Sequence, residues 1–196
     1  MWDQRYATDE FMYGTQPNTF LVEHAHRLAG PVLSLAEGEG RNAVYLASLG
    51  LDVLGVDASA VGLAKAQRLA AEKGTAIQTE VVDLTRYTPL PQTFGSVISI
   101  FAHLPSEDRK RLHRVVENAL KPGGVILLEG YSRAQLAYET GGPKDLNMLL
   151  TPAGIESDFP NCDILLCREI EREVTEGKLH TGMASVVQFI GRKREH

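Results

Sequence analysis

Glu37, Gly38, Glu39 and Gly40 follow an apolar run at Val32–Ala36 and precede a helical pattern that opens at Arg41. Asp57 closes the next apolar run, about twenty residues on. Glycines at the carboxyl end of a strand let a ligand approach the backbone closely, because no Cβ stands in the way. An ionised carboxylate at the end of the second strand offers two acceptor oxygens to a pair of ribose hydroxyls. Gly38-x-Gly40-x-x-Ala43 also satisfies the dinucleotide fingerprint, so glycine spacing alone leaves a nicotinamide or flavin ligand open.

Charge separates these ligands. A pyrophosphate at this turn would lie against the helix N-terminus, where anions are stabilised and carboxylates compete with them. Glu37 and Glu39 would crowd its two phosphates. S-adenosylmethionine carries no phosphate and presents a positive amino group beside a sulfonium, so an acid at the strand end attracts it. The turn reads as an S-adenosylmethionine site.

The elements that must position these residues alternate. Asn18 is placed to cap a helix reaching about Arg27, between Pro17 and Gly30. Strands are expected at Val32–Ala36, Val53–Val56, Ile77–Val82, Phe94–Phe101 and Val125–Glu129, with helices at Arg41–Leu49, Ala60–Lys73 and Ser106–Leu120. This is a βαβ cadence and implies a parallel sheet. Asp163–Val174 and Leu179–Arg192, joined through Glu176-Gly177, read as a hairpin that adds antiparallel strands at one edge. The expected fold is an α/β Rossmann-like, doubly wound seven-stranded sheet, mostly parallel with a C-terminal antiparallel hairpin. It is expected as a single domain over 1–196, with an N-terminal lid and helix (1–30), a cofactor-binding core (31–131), and a substrate-side insertion with the terminal hairpin (132–196). The looser stretch from Tyr131 to Asn161, with Thr140-Gly141-Gly142-Pro143, is placed over the substrate or is a packing excursion.

Composition narrows the function class. With 196 residues, 43% hydrophobic, the chain is long enough to bury an ordinary core. A net charge of −5 argues against a surface built for a phosphate backbone. The basic run Arg192-Lys193-Arg194 reads as a solvated chain end. Small-molecule partners are expected, with no nucleic acid and no membrane; the oligomeric state is not legible. No apolar run approaches the roughly 20 residues needed to span a bilayer. The start MWDQRYATDE is too charged for a signal sequence, so a cytoplasmic location is expected. Period-two alternation would put Cys162 and Cys167 on opposite faces of their strand, and neither a disulfide nor a metal site is expected.

Asp83-Leu84 after the third strand and Leu120-Lys121-Pro122-Gly123-Gly124 before the fifth, added to the glycine turn and Asp57, resemble the class I methyltransferases over about residues 30 to 131. Trp2-Asp3-x-Arg5-Tyr6, Tyr13-Gly14-x-x-Pro17-Asn18, Glu37-Gly38-Glu39-Gly40-Arg41-Asn42, Phe101-x-His103-Leu104-Pro105 and Thr140-Gly141-Gly142-Pro143 resemble the small bacterial methyltransferases related to tellurite-resistance methyltransferases. The resemblance implies S-adenosylmethionine as cofactor. It departs where a third glycine often follows the turn and this chain has Arg41-Asn42-Ala43.

On that resemblance, Glu37 attracts the cofactor's amino group directly or through water, while Gly38 and Gly40 present backbone amides to its methionine part. Asp57, with Ala58 beside it, takes the ribose, unless it serves only as a helix cap. Asp83 accepts from the adenine amine and Leu84 adds an apolar contact, unless the pair is an ordinary strand-end turn. Arg41 and Arg5 compete for the methionine carboxylate. Tyr13, with Trp2 and Tyr6, belongs to a segment that related enzymes fold over the cofactor, where aromatic faces suit a cation. Phe101 and Ala102 lie beside the methyl group. His103 and His180 are the candidate bases, or merely line the pocket. A thiolate, or a tellurium or selenium oxyanion, would need no base, whereas a neutral alcohol or an ammonium group must lose a proton. A nicotinamide-dependent oxidoreductase and a non-catalytic S-adenosylmethionine-binding regulator remain the alternatives.

Overall fold

The computed structural model describes residues 1–196. Seven strands form one sheet: β1 (Val32–Leu35), β2 (Val53–Asp57), β3 (Gln78–Val81), β4 (Phe94–Ile100), β5 (Leu120–Tyr131), β6 (Cys162–Thr175) and β7 (Thr181–Lys193). Their order is β3-β2-β1-β4-β5-β7-β6. The first five are parallel, and β7 pairs antiparallel with both β5 and β6. The strand order reverses between β1 and β4, which opens a crevice beyond their carboxyl ends.

Six helices accompany the sheet: α1 (Trp2–Tyr6), α2 (Thr19–His24), α3 (Arg41–Ser48), α4 (Ala60–Glu72), α5 (Ser106–Ala119) and α6 (Pro152–Asp158). The residues of β1 are buried throughout, as a central strand covered on both faces requires. One core layer joins α2, α3 and α4 to the sheet through Phe20, Leu46 and Leu69. The other joins α5 and α6 through Leu112, Val116 and Ile155. Gly40 begins α3 at φ 101°, and a Cβ there would lie 2.7 Å from the Cα of Ala66 on α4. Gly40→Ala combines backbone strain with overpacking, and is expected to cost about 2–4 kcal/mol, read by thermal melting.

Three expectations need correction. The helix capped by Asn18 ends at His24 and tightens into a 3-10 turn over Ala25–Arg27. The fifth strand begins at Leu120 instead of Val125, because Leu120 pairs with Phe94 before the register shifts. Cys162 and Cys167 do not face opposite ways. An irregularity between Ile164 and Leu166 resets the alternation, so the two cysteines oppose Lys193 and Phe189, four apart on β7, and both meet the same core layer. Both are free thiols whose pKa is raised chiefly by burial.

Candidate active site

A cavity of about 690 Å³ opens at the crevice. Ala36, Glu37 and Gly38 after β1, Asp57 and Ala58 at the end of β2, Asp83 and Leu84 after β3, and Phe101 and His103 after β4 all line it. Arg5, Tyr13, Arg41 and His180 close it from other elements. Of the expected site residues only Gly40 is absent from the lining, since its missing Cβ serves the contact with α4. Ala36 and Phe101 hold left-handed backbone, at φ 49° and 52°. Non-glycine residues in that region are strained, and both mark the strand ends that border the crevice.

Glu37 is buried under the start of α3. One carboxylate oxygen accepts the Ala43 amide at 2.8 Å and the other accepts the Ser34 hydroxyl. Burial pushes its pKa up to about 7. The folded chain therefore binds this proton more tightly than the unfolded chain does. Its contribution to stability is full below about pH 4.5 and is lost as pH rises through about 7. Glu37→Gln lacks this titration, so its melting temperature relative to wild type is expected to rise between pH 5 and pH 8.

The oxygens of Asp57 accept the Gly38 amide at 2.9 Å and the Ser59 amide at 2.8 Å, which fixes the carboxylate at the cavity mouth. Burial raises its pKa. It does not cap α4, because the Ser59 hydroxyl accepts the Gly62 amide in that place. Asp83 is exposed, and one of its oxygens accepts both the amide and the hydroxyl of Thr85, which hold its pKa down. It lines the cavity while forming a strand-end turn.

Glu39 changes the charge argument. Its carboxylate pairs with the Lys65 ammonium and accepts the Met12 amide at 2.8 Å. Lys65 is also the donor to the backbone carbonyls of Thr8 at 2.9 Å, Glu10 at 2.6 Å and Tyr6 at 3.4 Å. Glu39 thus anchors the N-terminal segment and, although it also borders the cavity, its charge is matched by Lys65, whereas no cation pairs with Glu37. The segment lies closely over the glycine turn: a Cβ on Gly38 would come within 2.8 Å of the Tyr6 hydroxyl.

His103 has no free nitrogen with which to accept a proton from a substrate. The Tyr131 amide donates to Nε2 at 3.1 Å, so Nδ1 carries the hydrogen and donates to the Met148 carbonyl at 2.9 Å. Burial lowers its pKa to about 4. The expected base is a clamp that ties the end of β4 to β5 and the insertion. His180 stands differently. Its ring packs edge-on against Tyr13, Phe101 and Tyr131, at centroid distances of 4.7, 5.0 and 5.3 Å, and its Nδ1 is buried without a partner. Burial, then the Arg41 charge, lowers its pKa to about 3.

Arg41 donates one guanidinium nitrogen to Glu176 at 2.7 Å, and its Nη1 is buried without a partner. Arg5 lays its guanidinium over the Trp2 ring at 4.7 Å. Behind Arg41 runs a buried network that sequence reasoning missed. Asn18 donates to Glu129 at 2.9 Å and to Glu176 at 2.6 Å, Arg172 pairs with Glu129, and Gln188 donates to Glu129 at 2.6 Å. A glutamate inside the apolar run Val125–Leu128 onward was the available signal, since a buried charge requires partners.

A family model for a methyltransferase domain matches residues 32–124. Those residues, from β1 into β5, are similar to a methyltransferase domain. The chain is 28% identical over 131 residues (65% of the chain) to a 2-heptyl-1-hydroxyquinolin-4(1H)-one methyltransferase of Mycobacteroides abscessus. It is 31% identical over 135 residues (65% of the chain) to a glycine/sarcosine N-methyltransferase of Halorhodospira halochloris. It spans 58% and 47% of the lengths of these two relatives. TehB from Haemophilus influenzae shares the fold, with a TM-score of 0.71 at 17% identity over 98% of this chain and 66% of that one. No helix of the chain is long and apolar enough to cross a membrane.

Proposed function

We propose that the chain binds S-adenosylmethionine in the 690 Å³ cavity and transfers its methyl group to a small-molecule acceptor. The observation that carries this reading is the convergence of Glu37, Gly38, Asp57 and Asp83, from the ends of three neighbouring strands, on one wall of that cavity. The names of both curated relatives, which describe methyl transfer to small molecules, support the acceptor class.

The residues present fit the cofactor. The buried Nη1 of Arg41 lacks an acceptor, and the methionine carboxylate supplies one. Arg5 and Tyr13 close that end. Glu37 favours the amino group, and its ionisation completes as the ammonium arrives. Asp57 takes the ribose hydroxyls through the lone pairs its two amide bonds leave. Asp83 and Leu84 border the adenine. Bound S-adenosylmethionine supplies an electrophilic methyl group on a sulfonium sulfur. The chain's task is alignment and exclusion of water, which Tyr6, Tyr13 and Phe101 serve by closing the cavity.

Neither histidine supplies a strong base, since His103 has both nitrogens engaged and burial holds His180 neutral. Such a site suits an acceptor whose nucleophilic atom loses its proton readily or carries none. Formation of S-adenosylhomocysteine on mixing the chain with S-adenosylmethionine and a panel of thiols, phenols, amines and tellurium or selenium oxyanions tests the reading. An acceptor-dependent rate is expected. Tight cofactor binding with no acceptor-dependent product would favour the non-catalytic regulator.

A further inference from the structure

Beyond Arg41 Nη1, two side-chain atoms are buried without a hydrogen-bond partner: Tyr131 Oη and His180 Nδ1. Buried polar atoms in folded proteins are nearly always paired, so two orphans on rings that line one cavity call for an explanation. The rings are neighbours, 5.3 Å between centroids, and the Tyr131 residue is wholly buried. The Thr140–Pro143 segment covers them. A Cβ on Gly141 would lie 3.0 Å from the His180 ring and 3.4 Å from Tyr131 Oη, so only glycine lets the backbone lie this close. That segment is pinned, with Gln135 donating to Thr140 Oγ1 at 2.8 Å and to the Gly141 carbonyl at 3.1 Å while accepting the Ser185 amide at 2.9 Å. The two atoms are therefore held in place by a built wall. The surrounding surface, Phe101, Tyr13, Pro143, Met148 and Leu179, is aromatic or apolar.

Resting on the methyl-transfer reading, we infer that Tyr131 Oη and His180 Nδ1 are the recognition site of the methyl acceptor, and that the acceptor presents a neutral hydroxyl on a flat apolar body. A hydroxyl both donates and accepts, and so satisfies a tyrosine O–H and an imidazole nitrogen together. A tellurium or selenium oxyanion brings negative charge to an aromatic and apolar wall, while the open Nη1 of Arg41 is taken by the methionine carboxylate of the bound cofactor. A thiol fills the space and bonds weakly. The inference concerns recognition, whichever atom of the acceptor takes the methyl group.

Two measurements on the full chain test it. Tyr131→Phe deletes a hydroxyl that bonds nothing in the protein, so the ligand-free variant is expected to melt at or above wild type. A fall of more than about 2 °C would show that the hydroxyl has a protein partner, and would overturn the inference. With S-adenosylhomocysteine saturating, 5-hydroxyindole is expected to bind wild type at least about tenfold more tightly than indole, and tellurite not to displace it. Tyr131→Phe should remove that preference and leave S-adenosylhomocysteine affinity unchanged. No preference for the hydroxylated ring in wild type, or displacement by tellurite, contradicts the inference. Failure of S-adenosylhomocysteine to bind at all would instead sink the methyl-transfer reading, and the melting comparison would still stand.

Discussion

Lys65→Met is expected to melt about 10 °C below wild type and to free the N-terminal segment. Lys65 is 5% exposed and its ammonium is shared by the Glu39 carboxylate and the carbonyls of Tyr6, Thr8 and Glu10. Removing one partner of a buried ion pair strands the other charge and costs about 3–5 kcal/mol. In a chain of this size each kcal/mol moves the melting temperature by about 2–4 °C. The same change removes three bonds that hold residues 6–10 against α4. Amide exchange in that segment is expected to accelerate while the sheet stays protected. Glu39→Gln, Lys65→Met together restores neutrality, and should recover part of the stability without re-anchoring the segment. Unchanged exchange in residues 6–10 of the single variant would show that the lysine does not hold the lid.

Asp57→Ala is expected to raise the dissociation constants of S-adenosylmethionine and S-adenosylhomocysteine about 100-fold. Two charge-assisted hydrogen bonds to a ribose contribute roughly 1.5–3 kcal/mol each, and each 1.4 kcal/mol is a factor of ten. Part of the loss is geometric, because Asp57 also receives the Gly38 and Ser59 amides and so shapes the glycine turn. Asp57→Asn, which keeps one acceptor oxygen, should fall between the two. Titration calorimetry reads the series directly. Equal affinity in wild type and Asp57→Ala would remove Asp57 from the site.

The glycine turn and Asp57 were legible because their meaning is local: a strand end, a turn, a helix start and an acid closing the next strand. The hairpin was legible because Glu176-Gly177 interrupts two long alternating runs. Lys65 was not. In the helix Ala60–Glu72 it looks like any polar position, and its partners lie more than fifty residues upstream and on the glycine turn. His103 could be placed at a strand end from sequence, yet what occupies its nitrogens comes from Tyr131 and Met148, 28 and 45 residues away. The same limit applies to Glu39, whose charge read as facing the ligand until its cation was located. The irregularity in β6 has no glycine or proline to announce it, so the facing of the cysteines could not be read from alternation.

The cofactor claim is tested most directly by titrating S-adenosylmethionine, S-adenosylhomocysteine and NADH separately into the wild-type chain by calorimetry. Saturable binding of both adenosyl ligands with no heat from NADH is the expected result. Binding of NADH alone would contradict the account, because a pyrophosphate would then occupy the turn that Glu37 is argued to reserve for a cation.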